Sequence, residues 1–580
     1  MTPAFSRDEL LPAAMPNWRS LLAEGVAAGR ATKRRRTAFH RLHDVTSQHE
    51  WALSRRAAGR SRILVNIGMP DWNLTKAALR EIWDSFEAAS LPPPDAYELI
   101  LERRMGLPAT LRETAPQETG PALWSESDWL ELGQTVPIQP QAPLIGSPAS
   151  FENTLLGLAA GMDTMGNFSN FVNRYPYWDD EVAQIASVVR ALGAVAAHRG
   201  AGVVADSYLE DGHSGVFADF RSIVGWAMFE RRLVEGLCGA AYAPAFGGLT
   251  SDPFLRAAVF RAIQRTGPAD ALLDGYCHGD TVGHGDSMDR NLARFVNDAT
   301  VSMAADARFG WGASYLPTPL TERERVPGTA DILEVHRLTR ALEPQARALA
   351  SRFDWRETEI LGEAIADGAR AWRGRLDEYL AAAGIDLGNP MELMLATRRM
   401  GAGAIEHIGL GPEGAYDHPT ELTRRTMEER DREIARVAAS TGIRLDGIAV
   451  AVASTDVHHF AKLVIEGVLE ERGARIVDGG LAVDPEVLLD RAVEAGCAAV
   501  VATTHNGWAL NFGERLAAAR SRHGAAGITL VMGGVLNEDA GKAANSELPR
   551  DVTPDLNARG IVTTNDLLEL VAVLGDAQSR

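Results

Sequence analysis

Residues 447–458 read GIAVAVASTDVH, an apolar run that ends in two hydroxyl side chains, an aspartate and a histidine. A short apolar run bounded by polar residues is typical of a buried parallel strand. The segments that follow alternate between helix-length and strand-like patterns, which predicts a parallel sheet with a helix in each crossover. We expect strands at 447–454, 474–477, 498–502, 528–532 and 561–563, and helices near 461–472, 485–495, 509–522 and 565–574.

Five such strands in residues 444–580 predict an α/β domain of the flavodoxin-like, doubly wound type. In this fold, ligands bind at the C-terminal ends of the strands. The first strand is not followed by the glycine fingerprint of a dinucleotide site, so a Rossmann NAD-binding domain is disfavoured.

Three loops at this edge of the predicted sheet carry residues suited to a metal-centred ligand. After the first strand, His458 is a candidate metal ligand, and Asp456 is placed to bind its second ring nitrogen. After the third strand, Thr503–Thr504 supply hydroxyl groups, and after the fourth, Gly533–Gly534 let a ligand approach the backbone.

At these loops the sequence resembles the cobalamin-binding domain of the cobalamin-dependent mutases and methionine synthase, whose pattern is Asp-x-His-x-x-Gly, a Ser/Thr-rich loop and Gly-Gly. The resemblance implies that His458 is the lower cobalt ligand and that Asp456 is its hydrogen-bond partner. Ala461 occupies the place of the pattern's first glycine. The alternative is that Asp456, His458 and His459 are surface residues of an unrelated flavodoxin-like domain. His505 is a weaker candidate for contact with the cofactor.

Upstream of this domain, strand-like and helix-length segments also alternate, from about residue 143 onward, and predict a second parallel sheet. The proline-rich stretches 91–94 and 136–143 indicate loops or a connection between subregions. We expect an N-terminal helical extension at 1–60, a catalytic domain at 61–345, a helical extension and linker at 346–443, and the C-terminal domain at 444–580.

The catalytic region contains five short motifs in this order: GSP at 146–148, NFSNFVNRYPY at 167–177, GVV at 202–204, YAPAFGG at 242–248 and PTP at 317–319. With these motifs it resembles the barrel subunit of glutamate mutase, an enzyme that interconverts glutamate and 3-methylaspartate. This resemblance implies a (β/α)8 TIM-type barrel that uses adenosylcobalamin for a radical rearrangement.

Two departures from that family concern the substrate and the cofactor. The arginines that grip two carboxylates are replaced at Leu144 and at Asp206–Ser207, so we expect that glutamate is not the substrate. A substrate with an amine or several hydroxyls is favoured instead. The family's lysine and glutamate that hold the adenosyl ribose are expected near Pro317 and Thr321 and are not retained in register, although Glu322 is adjacent.

The catalytic candidates come from two polar segments and one aromatic motif. DSYLEDGH at 206–213 is placed at the C-terminal end of a predicted strand, where barrel enzymes keep their active sites. The alternative is that its acids merely face water. YCHGDTVGHGD at 276–286 is read as a substrate or corrin contact rather than a metal site, while the resemblance implies an aromatic substrate contact at 177. The candidate catalytic residues are Asp206, Glu210, His213, Tyr177 and His278.

Composition limits the partners of the protein. With 58 Lys and Arg against 77 Asp and Glu, the net charge is -19, which disfavours binding to nucleic acid or to an anionic membrane. The sequence shows neither a secretion signal nor a membrane span, and three distant cysteines fit the cytoplasm.

We expect a cytoplasmic, adenosylcobalamin-dependent isomerase that acts on a small-molecule substrate, with a homodimer as an allowed assembly. The alternatives are a methylcobalamin-dependent methyltransferase, which the missing ribose contacts favour, and a non-catalytic cobalamin-binding sensor.

Overall fold

A computed structural model describes the chain in two compact units. The first covers residues 1–115 and 120–420, and the second begins at Glu421. No helix within the described residues is long and apolar enough to cross a membrane. The described ranges are 5–115, 120–325, 327–411, 416–455, 460–481, 483–505, 507–538 and 550–578.

The first unit contains a closed barrel of eight parallel strands in sequential order, which confirms the predicted barrel. The barrel closes where Arg62 and Ile63 of the first strand pair with Ser314 and Tyr315 of the last. The strands are β1 (Arg62–Ile67), β2 (Ala96–Leu99), β3 (Gln139–Pro143), β4 (Thr164–Gly166), β5 (Val204–Tyr208), β6 (Ala241–Phe246), β7 (Tyr276–His278) and β8 (Ser314–Leu316).

One proline-rich stretch differs from its expectation. Residues 136–143 are predicted to form a loop, but β3 occupies the second half of this stretch. Pro140 lies in register with Tyr97 of β2. The ladder survives because other residues carry the pairing, and proline is compatible with extended backbone.

Side chains alternate between the barrel lumen and the surrounding helices. Val65 and Tyr97 belong to the large apolar core outside the barrel, whereas Leu64, Ala96 and Tyr276 form a small core inside it. Because strand side chains alternate with period two, residues two positions after these inner ones also face the lumen, nearer its C-terminal end.

Helices surround the barrel and begin at ordinary capping residues. Asp71 accepts a hydrogen bond from the Leu74 N–H at 2.8 Å, and Asp252 precedes a helix with proline at its first position. The helices of this unit are α1 (Arg7–Leu10), α2 (Trp18–Ala31), α3 (Ala38–Leu42), α4 (Gln48–Ala57), α5 (Trp72–Ala88), α6 (Ala109–Arg112), α7 (Glu126–Leu132), α8 (Ser150–Ala160), α9 (Glu181–Ala196), α10 (Phe220–Arg231), α11 (Pro253–Thr266), α12 (Met288–Phe309), α13 (Thr329–Leu349), α14 (Arg356–Ala382) and α15 (Pro390–Leu410).

Helix α14 packs on the barrel helices α10 and α11. Its buried side chains Ile365, Ala369, Trp372 and Leu376 follow a helical repeat on one face. Gly225 of α10 admits the Trp372 ring, since a Cβ atom at 225 would lie 2.4 Å from it. The sequence predicts a helical extension and linker at 346–443. In the structure, α14 and α15 belong to the barrel unit, and the division between the units falls after Thr420.

The second unit is a five-stranded parallel sheet with helices on both faces, which confirms the predicted flavodoxin-like fold. Its strands are β9 (Ala449–Ser454), β10 (Arg475–Gly480), β11 (Ala499–Thr504), β12 (Thr529–Gly534) and β15 (Val562–Thr563), and β13 (Asn537–Glu538) and β14 (Arg550–Asp551) form a small hairpin. The strand order is β10-β9-β11-β12-β15. The helices are α16 (Glu421–Ser440), α17 (Phe460–Glu471), α18 (Pro485–Glu494), α19 (Ala509–Arg522), α20 (Thr553–Ala558) and α21 (Leu567–Gln578).

Candidate functional site

Two acidic side chains face the lumen toward the C-terminal end of the barrel. They are Glu98 of β2 and Asp206 of β5, the only acidic residues in the eight strands, all of which the structure describes. Glu98 is 6% exposed and Asp206 is 1% exposed. Gly166 of β4 leaves room for the Asp206 carboxylate, because a Cβ atom at position 166 would lie 2.9 Å from Asp206 Oδ2.

No cation of the barrel strands balances these carboxylates. Asp206 Oδ1 is buried and has no hydrogen-bond partner among the residues that the structure describes. The only Lys or Arg in the eight strands is Arg62, which lies at the opposite end of β1 and donates to the carbonyl oxygen of Gly312. The lumen therefore holds two carboxyl groups that receive no counter-charge from the strands. Burying them in ionised form costs free energy unless a ligand or a proton compensates for the charge.

Burial dominates the protonation of both acids. It raises the pKa of Glu98 to about 8, with a further contribution from the negative charge of Asp211. Burial also raises the pKa of Asp206 well above its ordinary value, and the nearby charge of Glu98 adds to this effect. Glu98 consequently retains a proton at neutral pH when no cation is bound.

An aromatic wall stands beside the two acids. The rings of Tyr208 and Tyr276 stack with their centroids 6.0 Å apart, and the His278 ring lies 5.4 Å from Tyr208. His278 Nδ1 is 2.8 Å from the carbonyl oxygen of Gly279. Burial lowers the pKa of His278 to about 4, so this ring is neutral at pH 7.

Glu210, a predicted catalytic residue, holds a loop. Its carboxylate accepts hydrogen bonds from the backbone N–H groups of Gly247, Gly248 and Leu249, at 2.7, 2.9 and 3.0 Å. The Tyr208 hydroxyl lies against the same carboxylate. With these partners, Glu210 positions the loop after β6 and one face of the aromatic wall.

His213 and Tyr177 lie apart from the two lumen acids. His213 is buried, its Nε2 lies 3.0 Å from the Thr397 carbonyl oxygen on α15, and its ring packs on Trp226. Burial lowers the pKa of His213 to about 4. Tyr177 is 40% exposed. Of the five predicted catalytic residues, only Asp206 and His278 lie among the lumen groups described above.

A buried network supports β5 from behind. The Glu230 carboxylate accepts hydrogen bonds from the hydroxyls of Ser169, Ser207 and Tyr242, and from the Trp226 indole N–H. Ser207 is the neighbour of Asp206 on the opposite face of β5, so the network fixes the strand that carries the acid. Nearer the mouth, Asn167 Nδ2 donates to Asp211 Oδ2 at 2.6 Å.

A cavity of about 230 Å³ opens next to this end of the lumen, between the ends of β1, β7 and β8. Asn66 Oδ1 and Thr318 Oγ1, which are buried atoms of two lining residues, have no hydrogen-bond partners in the described part of the chain. Burial lowers the pKa of His336, another lining residue, to about 3. Unpaired polar atoms in a cavity of this size fit a polar ligand.

The second unit has its own polar edge, at the C-terminal ends of β11 and β12. Thr503 and Thr504 lie in register with Gly533 and Gly534. The buried Oγ1 atoms of both threonines have no hydrogen-bond partner among the described residues. Asp456 and His458 lie outside the described residues, so their contacts stay predictions.

The paired glycines are required by the backbone around them. A Cβ atom at Gly533 would lie 2.5 Å from the Thr564 carbonyl oxygen, and one at Gly534, where φ is +95°, would lie 2.3 Å from the Thr504 carbonyl oxygen. Asn565 fixes this turn, because its amide group bonds both the N–H and the carbonyl of Gly534. The sequence predicts Asn565 at the start of a helix and does not indicate that it belongs to this site.

Residues 447–548 match the B12 binding domain family. The buried threonine hydroxyls without partners fit this match, since a cofactor with amide and phosphate groups would satisfy them. The match supports cobalamin binding by the second unit and thus a cobalamin-dependent protein.

One solved structure similar to this chain is described as the 1.5 Å crystal structure of a novel cobalamin-binding protein from Desulfitobacterium hafniense DCB-2. The alignment has 13% identity, covers 27% of this chain and 78% of that one, and has a TM-score of 0.20. A comparison with curated protein sequences gives no match.

Proposed function

We propose that the protein is an adenosylcobalamin-dependent isomerase that rearranges a small molecule other than glutamate. One observation carries the proposal: a single chain joins a B12-binding domain to a closed barrel whose lumen holds two buried acids. Chemistry on a reactive intermediate requires a site from which water is excluded, and a closed barrel provides one.

The roles of the cofactor and the chain differ. When bound, adenosylcobalamin supplies a carbon radical able to abstract a hydrogen atom from the substrate. The barrel residues bind and orient the substrate: Glu98 and Asp206 offer acceptors, while Tyr208 and Tyr276 cover the lumen wall. His278 is neutral and fixed by Gly279, so it serves as a hydrogen-bonding group rather than a cation.

In the B12-binding domain, we propose that His458 ligates cobalt, that Asp456 bonds the second ring nitrogen of His458, and that Thr503–Thr504 and Gly533–Gly534 line the cofactor's site. The test is the absorbance spectrum of the full-length protein loaded with cobalamin. We expect a histidine-ligated form without the cofactor's own base, and its loss in His458→Gly. Retention of that spectrum in the variant would remove His458 from cobalt.

Asp456→Asn tests the partner of the ligand. Mutation of the hydrogen-bond partner of a metal-bound histidine typically lowers affinity or activity about 10- to 100-fold. We expect cofactor affinity or activity to fall while the circular dichroism spectrum is unchanged. An unchanged affinity and rate would exclude Asp456 from the site.

A methylcobalamin-dependent methyltransferase is the second candidate. The observation that favours it is the lining of the barrel cavity, which includes Pro317 and Thr318. The lysine expected near Pro317 to hold the adenosyl ribose is not among the described lining residues. Tritium at the 5′ carbon of adenosylcobalamin distinguishes the two reactions. An isomerase passes tritium to its substrate pool, whereas a methyltransferase passes only the methyl group of methylcobalamin.

A further inference from the structure

We infer that the C-terminal end of the barrel lumen is a binding site for a protonated amine, whose ammonium group lies between Glu98 and Asp206 and against the rings of Tyr208 and Tyr276. This assignment rests on the proposed function only for the identification of the amine as the substrate. The binding step is testable without turnover.

At this end of the barrel, the strands carry carboxyl side chains and no lysine or arginine. Glu98 and Asp206 are the only acidic residues of the eight strands. These buried acids ionise readily only beside a counter-charge, which an ammonium group supplies and a carboxylate substrate does not.

The unsatisfied oxygen of Asp206 is the second, independent argument. The side chain is 1% exposed, and within the described ranges its Oδ1 has no hydrogen-bond partner. Buried polar atoms in proteins are almost always paired, and an unpaired one in a lumen points to a ligand that donates to it. An ammonium group has three donors and can reach more than one acceptor.

The aromatic wall determines which kind of cation fits. Tyr208 and Tyr276 present stacked rings next to the acids, and aromatic faces attract organic ammonium groups. His278 is neutral and does not repel a cation. No group of three or more His, Cys, Asp or Glu side chains among the described residues could hold a metal ion. The site therefore fits an organic ammonium rather than a metal.

The experiment uses the full-length protein without turnover and three probes of matched size: butylammonium, butanol and butyrate. Ligand-observed NMR gives their relative affinities. We expect butylammonium to bind more tightly than the other two, and its affinity to fall about tenfold or more in Glu98→Gln and in Asp206→Asn. Glu363→Gln, an exposed glutamate on α14, is the control and should leave the affinity unchanged.

A second measurement separates binding from folding. Each lumen variant removes a buried, unpaired acid, so we expect its unfolding temperature at pH 8 to equal or exceed that of the parent protein. Weaker butylammonium binding together with undiminished stability supports the site.

Two results overturn the inference: equal binding of butyrate or butanol, or unchanged butylammonium binding in both variants. Failure of the isomerase proposal is a separate result, because it appears in the tritium experiment and leaves the NMR comparison intact.

Discussion

Asp95 directly precedes strand β2, and Glu98 lies in the second half of that strand, three residues later. Each side chain is 6% exposed. Asp95 accepts hydrogen bonds from the Trp51 indole, the Ile63 N–H and the Arg340 guanidinium, at 2.8, 2.8 and 2.9 Å. Burial opposes ionisation of Asp95, but Arg340 and these donors hold its pKa below the ordinary value. Burial of Glu98 is not offset in this way, and its pKa rises to about 8.

The same contrast holds around the barrel. At the N-terminal end, Asp163 is fully buried and bonds Arg34, the His40 Nε2 atom at 2.8 Å and the Gln48 N–H at 2.8 Å. At the C-terminal end, where barrel enzymes keep their active sites, Asp206 has one oxygen without a hydrogen-bond partner among the described residues. Asp163 therefore has a charged partner, whereas no Lys or Arg of the strands lies near Asp206.

The largest effect is expected at the paired end. Asp163→Asn leaves Arg34 without its counter-charge and alters the hydrogen bond to His40. Removal of one partner from a buried ion pair typically lowers stability by about 3–5 kcal/mol. Denaturant unfolding followed by circular dichroism measures the loss. Asp367→Asn, which alters an exposed pair with Arg370, should change stability by less than about 1 kcal/mol. Equal losses in the two variants would contradict the comparison.

The next test compares Asp95 with Glu98, because replacing these two acids should change the stability of the protein in opposite directions. We expect Asp95→Asn to destabilise the protein by about 2–4 kcal/mol, and Glu98→Gln to stabilise it by about 1–3 kcal/mol at pH 8. The two variants serve as controls for each other, since both replace a buried carboxylate by its amide and the two positions are three residues apart. A loss of stability in both would show that Glu98 is structural.

The pH dependence of Glu98→Gln sharpens this test. The stability contributed by protonated Glu98 is complete below its ordinary pKa of 4.5 and is lost as the pH rises through the folded value of about 8. The advantage of the glutamine variant should therefore grow from pH 4.5 to pH 8. Thermal unfolding of both proteins across this range measures it, and a pH-independent difference would disprove the assignment.

A smaller effect is expected at the loop held by Glu210. Glu210→Gln weakens the charge-assisted hydrogen bonds from Gly247, Gly248 and Leu249. We expect the loop to lose about 1–2 kcal/mol of stabilisation. Hydrogen–deuterium exchange should become faster at these three amides and remain unchanged at the N-terminal end of the barrel. Unchanged exchange in the loop would show that the carboxylate does not hold it.

The smallest effect concerns the second unit, whose sheet also has two ends. Thr503→Val and Thr504→Val remove hydroxyls that have no hydrogen-bond partner in the part of the chain that the structure describes, so stability without cofactor should change by less than about 0.5 kcal/mol. Cobalamin affinity should fall about 3- to 10-fold if each hydroxyl donates to the cofactor. Thr529→Val, at the other end of β12, is the control. Absorbance titration measures the affinities, and equal affinity in all three variants would exclude the hydroxyls from the site.

The sequence predicted the second unit well, because its strands are apolar runs and its helices have clear ends. The helix predicted near 509–522 has those bounds in the structure. The strand predicted at 447–454 begins two residues later. In the barrel unit, helical pattern alone did not show that α14 packs on barrel helices rather than forming a linker.

The lumen site was predictable only in part. Asp206 was found because it follows a recognisable strand pattern, but Glu98 was missed. Its strand has four residues and follows the prolines of 91–94, which read as a loop. Which face of so short a strand turns inward is decided by barrel closure, and closure depends on pairings between residues far apart in sequence.

The joining of both units in one polypeptide has a kinetic consequence. A cofactor domain carried on a separate chain meets its partner at a rate set by the concentration of both proteins, and it dissociates on dilution. In this chain the encounter is intramolecular, so its effective concentration is set by the length of the connecting segment. For the proposed isomerase, the turnover rate per molecule should therefore be independent of dilution, and every translated copy supplies the two units in equal number.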